Sequence, residues 1–263
     1  RHLLRGFRRP DPAGGGAAVK STARLIAVWL VLLLLAGCTP APSDQPVPTV
    51  QSFTVAFPSM LDWLRPVFAA CTLETGVAVR TESLTETPDL TLQWGAPSDP
   101  PAFNAILAQA DLVVIVHPQN PLSTLTLEQA RSLFSGQVAA WGPYLGACAN
   151  CDELLTSGVS VWLYPGPEPA LDWFASAVLA EARYAPAAHL APNPQALRSA
   201  VAADPAGVGL LPAPLVDETV RVVPITDLPA DALRRPVVAL APAEPQSPLR
   251  DWLLCVQDYV GGN

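Results

Sequence analysis

Five cysteines and three histidines carry most of the reactive chemistry that this 263-residue chain could offer. Cys148-Ala-Asn-Cys151 has the CxxC spacing used by thiol oxidoreductases and by half of a zinc knuckle. A redox CxxC usually opens a helix behind a strand, where the helix dipole lowers the thiol pKa; this one sits in GACANCDE, a polar loop. Zinc would need a second CxxC or a His pair, and His117 and His189 stand far apart. With Cys38 set aside for the moment, Cys71, Cys148, Cys151 and Cys255 allow three pairings. A short local Cys148–Cys151 bridge is expected, with Cys71–Cys255 as the second. No GxSxG, HExxH or paired-carboxylate motif stands out, and neither His117 nor His189 has an obvious Ser or Cys partner. The chain therefore reads as a non-enzyme without metal or cofactor, the thiol oxidoreductase being the catalytic alternative.

Cys38 has a different setting. Arg24 is followed by twelve uninterrupted apolar residues, Leu25–Ala36, too few to cross a bilayer, which takes ~20. A basic flank, a short apolar run and small residues describe an export signal over residues 1–37. Leu35-Ala36-Gly37-Cys38 resembles the bacterial lipobox, in which the cysteine receives lipid and becomes the new N-terminus. Residues 38–50 hold four prolines after that cysteine and no apolar periodicity, so they read as an extended tether. The expected location is the outer face of the cell membrane or the periplasm, held by the lipid on Cys38.

Charge narrows the partners. The chain carries a net −8, but residues 1–37 hold six basic residues against the single acid Asp11. The remainder has nine arginines, no lysine and 22 acids, a net of −13. Such a body repels phosphate backbones, which argues against nucleic-acid binding. Any anion would have to be held by local dipoles and hydrogen bonds. Thirty prolines, at about twice the usual ~5%, punctuate many short elements.

The elements that must position a site alternate between strand and helix. SFTVAF (52–57) reads as a strand, followed by a helix over Met60–Cys71 with an apolar stripe at Leu61, Leu64, Val67 and Phe68. Residues 77–80 and 89–94 read as strands, FNAILAQA (103–110) as a short helix, and 111–118 as a strand apolar on both faces. Thr126 and Gln129 form a capping box for a helix ended by Gly136. After a loop-rich stretch (137–158), residues 159–165 read as a strand, and Glu168-Pro169 and Asn193-Pro194 each start a helix with Pro at its first position. Three late strands and a C-terminal helix complete an α/β pattern.

Within this pattern, Asp111–Gly142 resembles the phosphate-binding lipoproteins of ABC transporters, a family with the type II periplasmic binding protein fold. His117-Pro118, Pro121, Leu125-Thr126, Phe134-Ser135-Gly136 and Trp141 match that family in order and spacing. Asn193–Ala213, with Gly207-Val208-Gly209, resembles its helix and Gly-x-Gly strand. The resemblance implies two α/β lobes joined by two crossovers: residues 51–116 plus 224–263 as one, 117–223 as the other. It also implies a small oxyanion, phosphate by default, clamped between the lobes of a monomer that delivers it to an ABC permease. The contacts carried over are Ser59 and Met60 in the first strand–helix turn, Ser98 and Asp99 in the next loop, and Gly166 and Glu168 in the third turn. Where the family has a Gly-Ser-Gly-Thr-like third turn, this chain has Gly166-Pro167-Glu168-Pro169-Ala170. Its hydroxyls are gone and a carboxylate faces the helix start, where it opposes an incoming anion. The alternative is a relative that no longer binds solute and serves as a sensory or scaffold module.

Overall fold

Alternating apolar runs pair into one nine-stranded mixed sheet, described in a computed structural model for residues 51–82, 87–145 and 151–261. The signal and tether, with Cys38, and the CxxC residue Cys148 lie outside the described residues. The strands are β1 (Ser52–Ala56), β2 (Ala78–Glu82), β3 (Leu90–Trp94), β4 (Phe103–Val116), β5 (Ser160–Leu163), β6 (His189–Leu190), β7 (Gly207–Pro212), β8 (Arg221–Val223) and β9 (Arg234–Ala241). Their order is β2-β1-β3-β9-β4-β7-β5-β6, with β8 also on β4. β1, β2 and β3 run parallel, as do β5, β6 and β7.

The long strand β4 joins the two halves. Its first part pairs antiparallel with β9 (Phe103↔Ala241 to Asp111↔Arg234), and its last five residues pair with β7 and, in part, with β8. This corrects the helix expected over residues 103–110. The ladder with β9 shifts register between Ile106 and Ala108. That irregularity breaks the alternation and leaves the buried Leu107 and Ala110 three apart, the spacing of a helical face. Three alanines added helix propensity, and the long pairing with β9 overrode it.

Seven α-helices flank the described sheet: α1 (Arg65–Thr75), α2 (Leu127–Ser135), α3 (Gly142–Leu145), α4 (Asp152–Thr156), α5 (Pro169–Phe174), α6 (Pro194–Ala203) and α7 (Leu249–Gly261). The single helix expected over Met60–Cys71 is instead two segments. A 3-10 turn spans Ser59–Leu64, and α1 starts at Arg65 with Pro66 in its first turn, where a missing N–H costs nothing. The capping signals at α2 and α6 hold. Thr126 accepts from the Gln129 amide while Gln129 returns a bond to the Thr126 amide, and Asn193 accepts from the Ala196 amide at 2.8 Å. Helix α5 begins at Pro169 as expected and passes into a π-helical turn, Ala175–Leu179.

Packing divides between two aromatic clusters. Phe57, Phe68 and Trp252 meet at centroid distances of 5.2 Å beneath α1 and α7, which the Cys71–Cys255 disulfide ties together. On the other half, Phe134 and Phe174 pack edge to face at 4.7 Å between α2 and α5. The six residues of β7 are all buried. The glycines of Gly207-Val208-Gly209 let α6 approach: a Cβ on Gly209 would lie 2.7 Å from Leu197 Cδ2. The fully buried Trp141 donates its indole N–H to the Ala206 carbonyl at 3.1 Å, fixing the turn before that strand.

Candidate functional site

The parallel neighbours β1 and β3 bring the turns after them, Phe57–Met60 and Gly95–Asp99, to one edge of the sheet. The carboxyl ends of parallel strands are where open α/β sheets present ligand-binding loops. Ser59, Ser98 and Asp99 are exposed there. Ser59 does not cap the helix: the cap position is Pro58, and no side chain bonds to the first turn. The first helical amide with a partner is that of Leu61, donating to the Pro58 carbonyl at 2.9 Å. The Ser59 and Met60 amides thus precede the first helical bond, while the Met60 side chain is core.

At the carboxyl end of β5, Gly166 turns the chain with φ of +73°, in open space. Pro167 and Pro169 supply no N–H. Glu168 occupies the cap position of α5 without making a capping hydrogen bond. Its carboxyl is half-buried, and burial raises its pKa, with the Asp172 charge adding to the rise and the Ala170 amide opposing it. Its neighbour Tyr164 donates to the Leu210 carbonyl at 2.7 Å; burial above all, and then the Glu168 charge, holds that phenol far above its usual pKa.

A group that the sequence did not single out joins β3 to α5. Trp173, one turn into α5, stacks edge to face on Trp94 with centroids 5.2 Å apart and planes at 88°. Gly95 makes room for it: a Cβ there would lie 2.5 Å from Trp173 Cζ2. Arg235 of β9 lies over the same indole at 5.3 Å, and its carbonyl accepts from the Trp94 indole N–H at 3.3 Å. The one available signal was that Trp173 falls off the Leu171, Phe174, Val178 stripe that α5 and its π turn bury.

Positive charge near these turns is already engaged. Arg65 pairs with Asp62 at 2.7 Å and lies over the Phe57 ring at 5.0 Å. The arrangement can therefore recognise an anion through hydroxyls and amides, not through a free guanidinium beside Ser59. Two hollows lie elsewhere. One of about 350 Å³ is lined by Gln119, Glu153, Ser157 and Asp204 among others, and one of about 240 Å³ lies between β4, β8 and residues 225–233. Neither includes any of the six expected contact residues. Cys151, beside the first hollow, is buried and disulfide-bonded. Among the described residues no group of three or more His, Cys, Asp or Glu could hold a metal ion. None of their helices is long and apolar enough to cross a membrane.

No family model and no curated protein matches the chain. Solved structures do. A protein assigned to phosphate ABC transport as its substrate-binding component, from Clostridium perfringens with phosphate bound, superposes with a TM-score of 0.63 at 14% identity, over 78% of this chain and 93% of that one. An ABC-type phosphate transport receptor from Vibrio cholerae gives 0.55 at 16% identity, with the same coverage. The regulatory domain of MetR, a LysR-family regulator from N. meningitidis, gives 0.54 at 19% over 81% and 96%. The fold is thus that of type II periplasmic binding proteins, as the motifs of residues 111–142 implied. Transport receptors and regulatory domains share it, so function must be argued from the site.

Proposed function

We propose that this chain is an exported, lipid-anchored solute-binding protein of an ABC transporter, taking phosphate or a related small oxyanion where the ends of β1, β3 and β5 face one another. The observation that carries this reading is the Ser59 turn: an exposed hydroxyl and two amides ahead of the first helical bond, with Ser98 exposed in the turn that follows the neighbouring strand β3. Hydroxyl and amide donors hold an oxyanion without net positive charge. In this reading residues 51–116 with 224–263 form one lobe and 117–223 the other, and Cys38 carries the lipid. The phosphate-transport roles of the two solute-binding relatives support a permease as partner.

The third turn sets the affinity. Glu168 stands where the family presents hydroxyls, and Pro167 and Pro169 remove two amides. Each lost hydrogen bond to a charged ligand is worth ~1.5–3 kcal/mol, so two losses weaken phosphate binding by roughly two to four orders of magnitude. Calorimetry with inorganic phosphate tests this on the wild type, Ser59→Ala and Glu168→Ser. Weak binding is expected, weaker in Ser59→Ala and tighter in Glu168→Ser. Tight wild-type binding that is indifferent to Ser59→Ala would overturn the assignment of that turn.

The half-buried Glu168 and the Trp173 indole against Gly95 favour one second reading, a module that binds no solute and serves as a sensor or scaffold. Absence of phosphate heat in both the wild type and Glu168→Ser would select it.

A further inference from the structure

The Trp173 contact joins elements from the two halves of the sheet. Trp94 ends β3 and Gly95 follows it, while Arg235 is the second residue of β9; both strands lie in the half of the sheet that holds the pairing of β9 with the first part of β4. Trp173 belongs to α5, which follows β5 in the other half. Three independent features fit the indole to its seat. Gly95 leaves no atom where a Cβ would overlap Cζ2, Trp94 presents a perpendicular ring at 5.2 Å, and Arg235 covers the indole at 5.3 Å. The seat itself is fixed, because the Gly95 amide donates to the Pro236 carbonyl at 2.7 Å and the Trp94 indole N–H donates to the Arg235 carbonyl. Trp173 is also the partly exposed Trp of a six-residue helix whose Ala170, Leu171 and Phe174 already supply the local core. Its side chain is not needed to anchor α5 to its own half.

We propose that Trp173 is a built-in latch that holds the two halves of the molecule closed on one another without solute. In a hinge-closing fold, closure ordinarily draws on contacts that solute makes to both sides. Here an aromatic pair and a cation–π contact supply part of that closure from the protein itself. The population of the closed form then depends only weakly on occupancy. The inference takes its meaning from the solute-binding reading, but its test is read with no solute present.

Spin labels on Ala69→Cys of α1 and Ser199→Cys of α6, both exposed positions outside the site, report the separation of the halves by pulsed electron paramagnetic resonance. In phosphate-free wild-type background a single short distance is expected, unchanged by saturating inorganic phosphate. Trp173→Ala is expected to add a longer distance, the closed-to-open ratio falling roughly tenfold for loss of one aromatic pair and one cation–π contact. Arg235→Gln leaves the rings in place and is expected to shift the distribution part of the way, and it decides the question if Trp173→Ala does not fold. Identical phosphate-free distributions in the wild type and the variants would overturn the latch, as would a wild type that closes only when phosphate is added. If phosphate has no effect on any variant, the solute reading fails while the phosphate-free comparison still judges the latch.

Discussion

Removing the Cys71–Cys255 bridge should expose how much of this fold's stability lies in its unfolded chain. The bridge joins α1 to α7 across a sequence separation of 184 residues. Closing a loop of that length restricts the denatured ensemble by an amount worth about 5 kcal/mol as an upper bound. Local packing adds less, since each Cys→Ala change removes one sulfur, from sites where Cys71 is fully buried and Cys255 nearly so. The double variant Cys71→Ala/Cys255→Ala should therefore lose roughly 3–5 kcal/mol, lowering the guanidinium midpoint by roughly 1 M. Two further signatures separate chain entropy from packing. The denaturant slope should rise, because the unbridged unfolded chain exposes more surface. Each single variant should cost nearly as much as the double, because either one already opens the loop. An unchanged midpoint, or two small costs that simply add, would refute the assignment of stability to loop closure.

Two other perturbations address the lipid anchor and the third turn. Cys38→Ala should abolish fatty-acid attachment and processing by the lipoprotein signal peptidase; an acylated, membrane-bound variant would reject the lipobox. Glu168→Gln should raise the melting temperature at neutral pH, because burial lifts the folded pKa of that carboxyl. A carboxyl with a raised folded pKa favours the fold fully only below its unfolded pKa, ~4.3, and loses that contribution as pH rises through the folded value. The advantage of Glu168→Gln should thus vanish in acid, and an advantage that persists there would assign it to packing instead of charge.

Much of this protein was legible in its sequence because its signals are local. Thr126 with Gln129, Asn193 with Pro194, and Pro169 behind Glu168 each satisfy or remove helix-end donors within four residues, so spacing alone located α2, α6 and α5. The apolar runs of β3, β7 and β9 likewise needed no partner to be seen, and the α/β alternation with the residues of 111–142 sufficed for the fold. Ser59 and Ser98 were named only through the family resemblance; they lie in the turns after β1 and β3, and Ser59 is not a helix cap, because the 3-10 turn has Pro58 at that position. Tertiary structure alone decided the rest. Residues 103–110 are strand because β9, more than a hundred residues later, offers a complete antiparallel edge, and a register shift hid the alternation. The Trp94, Gly95, Trp173 and Arg235 cluster draws on three segments with no common motif. Only folding brings its rings and cation within 5–6 Å, where dispersion and quadrupole forces become significant.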